Sequence, residues 1–141
     1  MSVEGKKAFT EVTAAVIIRE GRVLIAKRRG GDRQAGKWEF PGGKRHSGET
    51  PEECLHRELF EELGVWSLIG APFGTWEHIY DHGAIRLLVY RVPVLRGDIR
   101  VLAHEELRWV PPEELSLYDF SEADRPVAMK IARESNRPVR G

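Results

Sequence analysis

The sequence is short of several things, and each shortage removes a class of protein. It has one cysteine, Cys54, so no internal disulfide can form. Cys54 falls inside an expected helix, where a small buried apolar role fits better than that of a nucleophile. There is no surplus of either charge, since 22 basic residues balance 22 acidic ones. A sequence-independent nucleic-acid binder needs an excess of Lys and Arg, so no nucleic-acid partner is expected. No apolar run is long enough to span a bilayer, and no signal peptide precedes the first expected strand. No membrane partner is therefore expected, and a cytoplasmic location is the default. Repeats, low-complexity segments and linkers are also missing. The 141 residues, 41% of them hydrophobic, fit one domain over residues 1–141. Residues 1–7 and 134–141 are polar and expected to be loose. Monomer and homodimer both remain open.

The densest information lies in residues 42–65. A loop containing Gly42, Gly43 and Gly48 opens the stretch. Thr50, Pro51 and Glu53 then predict a helix start, with Thr50 as cap, Pro51 in the first turn and Glu53 closing a capping box. Gly64 predicts its end. Within the helix Glu58, Glu61 and Glu62 stand at i, i+3 and i+4 and share one face. Leu55, Leu59 and Leu63 form an adjoining stripe that should face the core. Three carboxylates on one face repel one another unless a cation joins them, and hard oxygen donors at this density suit Mg²⁺ or Mn²⁺. Arg57, four residues before Glu61, can pair with it and fix its direction. The bland alternative is a solvated acidic face. The glycine loop and the cap beside the acids favour the metal reading.

The rest of the chain reads as strands around two helices. Residues 9–19 predict a largely buried strand, Glu20 and Gly21 a turn, and residues 23–29 a second strand pairing with the first as a hairpin. Residues 30–36 form a glycine-rich loop, either a plain connector or a flap over a ligand. A short strand at residues 38–40 leads into the glycine loop. After the helix come a strand, a break at residues 70–72, and strands at residues 74–80, 84–94 and 107–110. Residues 111–115 predict a helical turn. Residues 125–133 predict a final helix burying Val127, Met129 and Ile131. Strands, helix, strands, helix imply an α/β architecture with a mixed sheet between helices.

Residues 42–65 resemble the Nudix box: Gly, five residues, Glu, seven residues, then Arg-Glu-apolar-any-Glu-Glu-any-Gly-apolar. Gly43, Glu49, Arg57, Glu58, Leu59, Glu61, Glu62, Gly64 and Val65 fill its fixed positions. The flank Trp38-Glu39-Phe40-Pro41-Gly42-Gly43-Lys44 further resembles the MutT-like branch. The resemblance implies a Nudix α/β/α sandwich and divalent-metal hydrolysis of nucleoside triphosphates to monophosphate and pyrophosphate. The best match in substrate is 8-oxo-dGTP, with CTP or a modified dCTP as the alternative. A non-catalytic nucleotide sensor is a further alternative, although such domains typically lose the box acids, which this chain keeps.

The resemblance also implies roles. The Gly42 carbonyl, Glu58, Glu61 and Glu62 would hold Mg²⁺, with Mn²⁺ as a substitute, and Gly43 would let the backbone approach metal or phosphate. Glu58 is the favoured base and Glu49 its rival, with Arg57 a third catalytic candidate. Arg28 and Lys44 are phosphate candidates, Lys44 equally a surface lysine. Phe40 would lie beside the nucleobase. Asp124 stands where MutT-like enzymes carry an Asn that reads the base; its alternative task is to cap the last helix. Many relatives have an acid just ahead of a His near a Trp. Here Ala103 precedes His104, and Glu105 is the expected substitute, with Glu106 or no acid at all as the alternatives.

Overall fold

In the computed structural model, residues 8–31 and 34–135 are described. Residues 1–7 and 136–141, and Asp32 and Arg33 of the glycine-rich loop, lie outside them. Glu134 and Ser135 belong to a helix, not to a loose tail, because the final helix runs on to Ser135.

The first strand, β1 (Phe9–Val16), is buried on both faces from Thr13 to Val16. A strand of this kind needs neighbours on both edges. On one edge it pairs in parallel with β7 (Gly83–Arg91), which pairs antiparallel with β6 (Pro72–Tyr80). On its other edge lies the glycine loop. Thr13 N donates to Gly43 O at 2.8 Å, Ala15 N to Pro41 O at 2.8 Å, and Arg45 N to Glu11 O at 2.9 Å.

The expected hairpin between the first two strands holds only at its tip. The short β2 (Ile18–Arg19) pairs with β3 (Arg22–Lys27) around Glu20 and Gly21, both at positive φ. β1 itself turns away to β7. In its stead β3 pairs antiparallel with β4 (Trp38–Glu39) and with β9 (Glu106–Val110). A small separate ribbon joins β5 (Trp66–Leu68) to β8 (Val94–Arg96). The expected single strand over residues 84–94 therefore splits: β7 stops at Arg91, before Pro93, which has no N–H to donate to a ladder.

Alternation along β1 and β3 sends side chains to two helices. Ala15, Ile17 and Leu24 meet Leu55, Leu59 and Leu63 of α1 (Pro51–Leu63). Ala14, Val16, Val23 and Ile25 lie in the cluster with Val127, Ala128 and Ile131 of α2 (Arg125–Ser135). The result is a mixed α/β structure with a central mixed sheet between helices. Full burial of each leucine on α1 contributes roughly 1.5–3 kcal/mol. Met129 does not join the core as expected. It is 55% exposed, because Val127 and Ile131 already take the inward stripe of α2. No helix among the described residues is long and apolar enough to cross a membrane.

Candidate active site

Two glycines bring the loop against both β1 and α1. A Cβ on Gly42, at φ +153, would stand 2.0 Å from the Thr13 carbonyl oxygen. One on Gly43 would stand 2.3 Å from the Glu58 carboxyl carbon. At Gly42 only hydrogen fits, because the obstacle is backbone, whereas at Gly43 the obstacle is the end of the Glu58 side chain. The carbonyls of Pro41 and Gly43 accept hydrogen bonds from β1, while that of Gly42, between them, accepts none among the described residues. Thr13 Oγ1 adds a bond to Gly43 O and approaches Cys54 Sγ at 3.3 Å. Cys54 is fully buried, and burial raises its thiol pKa, as befits a packing residue and not a nucleophile.

Helix α1 starts and stops where its ends predict. Thr50 Oγ1 accepts from Glu53 N, the Glu53 carboxylate accepts from Thr50 N, and Gly64 closes the helix at φ 71. Arg57 then gathers three of the box acids. It contacts Glu49 at 2.7 Å, Glu58 at 2.9 Å and Glu61 at 3.2 Å, and donates to the Lys44 carbonyl. These partners push the Arg57 pKa up, with Glu49 the largest cause. Arg57 and the His46 backbone N–H in turn hold the Glu49 carboxyl down at about 2.

Glu58 and Glu62 reach past Gly42 and Gly43 into a cleft of about 480 Å³. Gly42 N donates to Glu62 at 3.2 Å. Arg28, Gln34, Glu39, Lys44, Tyr80, His82, Ser121 and Asp124 share this cleft, with Val12, Ile85 and Leu87 as its apolar wall. Glu61 does not line it, and its side chain is half exposed beside Arg57. The expectation of one shared face for the three box glutamates thus holds for two of them toward the cleft.

Two sequence-stretch candidates sit differently from expectation. The Phe40 ring is 3% exposed and stacked on Phe120 at 5.2 Å, so it offers no face to a base; it is a core residue. Its backbone N–H donates instead to Asp124 Oδ1 at 3.1 Å. Glu105 lies outside the cleft lining, half exposed, with its carboxylate 3.4 Å from Lys27 Nζ.

Asp124 immediately precedes α2, yet its carboxylate bonds elsewhere. Oδ1 accepts from Phe40 N and Oδ2 from Ser121 Oγ at 2.6 Å. Burial, and then the Glu39 charge, push its pKa up to about 7. Glu39 and His104 were not singled out by sequence reasoning. Yet Trp38 and Phe40 are both apolar and both buried, so alternation in so short a strand must turn Glu39 to the opposite side. There Arg28 Nη1 meets Glu39 Oε1 at 2.9 Å, and His104 Nε2 meets Oε2 at 2.8 Å.

A model of the NUDIX domain matches residues 13–130. The chain belongs to the Nudix family. It is 36% identical over 131 residues to the CTP pyrophosphohydrolase of Escherichia coli K12, covering 89% of this chain and 97% of that one. It is 32% identical over 124 residues to the 8-oxo-dGTP diphosphatase of the same organism, covering 87% and 96%. Among solved structures, the solution structure of the E. coli ORF135 protein superposes with a TM-score of 0.83 at 35% identity, covering 96% of this chain and 98% of that one.

Nudix hydrolases generally use a divalent metal, and the donors of the cleft fit one. Glu58, Glu62 and Glu39 bring hard anionic oxygens, and the Gly42 carbonyl is uncommitted. Burial, followed by the charges of Glu39 and Glu58, drives the Glu62 carboxyl well above the ordinary carboxylate range. Such crowding of like charge is relieved by a cation. As they stand, no three His, Cys, Asp or Glu side chains among the described residues are disposed to hold an ion. Arg57 draws Glu58 and Glu61 toward itself, so binding requires those carboxylates to turn.

Proposed function

We propose that this Nudix protein is a Mg²⁺-dependent pyrophosphohydrolase that cleaves nucleoside triphosphates, 8-oxo-dGTP foremost, to the monophosphate and pyrophosphate. The observation that carries the reading is one cleft lined both by metal-type donors and by a buried carboxyl, Asp124. A nucleotide presents a matching pair, a polyanion and a hydrogen-bonding base.

Bound metal would neutralise phosphoryl oxygens and acidify a water, and the Gly42 carbonyl, Glu58, Glu61 and Glu62 are the residues to hold it. Glu58 accepts the proton of the attacking water. Arg57, anchored on Glu49 through its other nitrogens, holds Glu58 by Nη1 in this state, and Glu58 turns from it when a cation binds. Lys44, exposed at the edge of the cleft, contacts the phosphates beyond the scissile bond. Arg28 lines the same cleft and balances the charge of Glu39. Asp124 meets the base edge. Removing 8-oxo-dGTP before a polymerase uses it makes this a sanitation enzyme of DNA repair, and nucleotide pools place it in the cytoplasm.

A second reading is CTP pyrophosphohydrolase. Asp124 favours it, because a carboxylate accepts from the exocyclic amine of cytosine as well as from the N–H groups of 8-oxoguanine. The relative of that name supports it too. A panel of 8-oxo-dGTP, dGTP, CTP and dCTP with Mg²⁺, scored by kcat/KM from released pyrophosphate, separates the two. Release of pyrophosphate from none of them would overturn the enzyme reading.

A further inference from the structure

The family resemblance leads one to look for an acid just ahead of His104, and this chain has Ala103 there. The structure assigns another source, resting on the metal-dependent reading above. We propose that Glu39 supplies the fourth acidic side chain of the metal site, oriented by His104 and Arg28, and that Glu105 does not.

Position decides between the two glutamates. Glu39 lines the same cleft as Glu58, Glu62 and Gly42, with a side chain 16% exposed. Glu105 lines another surface, 54% exposed and paired with Lys27. Each glutamate has one cationic partner, Lys27 for Glu105 and Arg28 for Glu39, but a carboxylate that points into solvent is screened by water and gains little from a further cation. A recessed carboxylate facing two other carboxylates has most to gain from a cation.

The partners of Glu39 are those of an oriented ligand. His104 is buried and takes Oε2 at 2.8 Å, while Arg28 takes Oε1 at 2.9 Å. An ionised carboxylate has about four lone-pair sites, so one on each oxygen remains for an ion. Partners behind a metal ligand fix its direction and set affinity. Among the described residues His104 Nδ1 has no partner, so Glu39 is the side-chain contact that explains this buried ring. A carboxylate at position 103 would adjoin His104 in sequence. Glu39 reaches His104 from β4 instead, across the fold.

Mn²⁺ titration of the nucleotide-free full chain, followed by the loss of free-ion electron paramagnetic resonance signal, tests the assignment. Glu39→Gln keeps shape and hydrogen-bonding capacity, and is expected to weaken Mn²⁺ binding at least about tenfold. Glu105→Gln is expected to bind as the wild type does. Thermal melting checks folding. If Glu39→Gln melts below the assay temperature, Glu39→Asp, which withdraws the charge by one methylene, is measured with the same expectation. Wild-type Mn²⁺ binding by the Glu39 variant, or an equal loss in Glu105→Gln, overturns the inference while hydrolysis by the wild type leaves the proposed function in place. A wild type that binds Mn²⁺ through Glu39 but hydrolyses nothing sinks the function alone.

Discussion

Arg57 and Glu49 meet in a two-point contact, Nη2 to Oε1 at 2.7 Å and Nε to Oε2 at 3.1 Å. Parallel bonds of this kind fix direction as well as distance. The contact ties the end of the box loop to the middle of α1, and Arg45 reinforces it by donating to the Glu49 carbonyl and to Glu11. Glu49 thus shapes the site through Arg57 while standing outside the cleft lining.

The low pKa of Glu49 gives this contact a pH signature. In the unfolded chain the carboxyl titrates near 4.5; in the folded one it holds out to about 2. The depressed group contributes stability that is fully present above about pH 4.5. As pH falls, the unfolded state takes up the proton first, and the contribution is gone once pH passes below about 2. Melting temperatures of the wild type and Glu49→Gln should therefore converge between pH 4.5 and 2. A constant gap across that range would mean the contact is not ionic.

The two glycines of the loop should fail in different ways. Gly42→Ala meets backbone at 2.0 Å in a left-handed-side conformation, so the loop must leave β1 and the melting temperature should fall clearly. Gly43→Ala meets only the end of the Glu58 side chain. That side chain can turn aside, so stability should change by less than about 1 kcal/mol while kcat falls at least tenfold. Melting and kinetics on the two variants check this split. Equal stability loss in both would remove the special relation of Gly43 to Glu58.

Glu58→Gln removes a charge and keeps the shape. Loss of a metal-linked base should lower kcat by at least about two orders of magnitude. The fold should survive, since Glu58 faces the cleft and the leucines of α1 face the core. Near-normal kcat would move the role of base to another carboxylate, with Glu49 tested next.

Legibility in the sequence followed the range of the forces involved. Helix α1 was readable to its ends because Thr50, Glu53 and Gly64 act within one turn of it. The mixed sheet between helices was readable as a class. The partner of β1 was not, because hydrophobic runs show that a strand is buried but not which distant strand lies beside it. The economical hairpin lost to the parallel pair with β7. Resemblance alone sets Phe40 at the base, whereas its ring completes the core on Phe120. Met129 was assigned to the core by the apolar character of its segment, and helical rotation puts it outside. Glu39 was hidden because its neighbours in the cleft come from far along the chain, and only the alternation around Trp38 and Phe40 marked it.

Asp124 offers a test of base choice that runs through pH. Its carboxyl is raised from an ordinary 3.8 to about 7, by burial first and by the Glu39 charge second. A raised acid contributes stability that is fully present below about pH 3.8 and lost as pH rises through about 7, because the folded site must then carry a buried charge. Asp124→Asn should flatten that decline. The same ionisation changes what the group can say to a base. Below about pH 7 the protonated carboxyl both donates and accepts; above it the carboxylate only accepts. Guanine and 8-oxoguanine share the N1–H and the exocyclic amine, so the N7–H that only 8-oxoguanine presents is the donor that should gain from the carboxylate as pH rises. The kcat/KM ratio of 8-oxo-dGTP to dGTP should therefore shift between pH 6 and 8 in the wild type and stay level in Asp124→Asn. Asp124→Ala should cost roughly 1–3 kcal/mol of discrimination, since Phe40 N–H and Ser121 Oγ lose their buried acceptor as well. A ratio that is flat with pH in the wild type, and unchanged in both variants, would assign Asp124 to holding the segment before α2 against Phe40 and leave base choice to Tyr80, His82 and Gln34 on the remaining walls of the cleft.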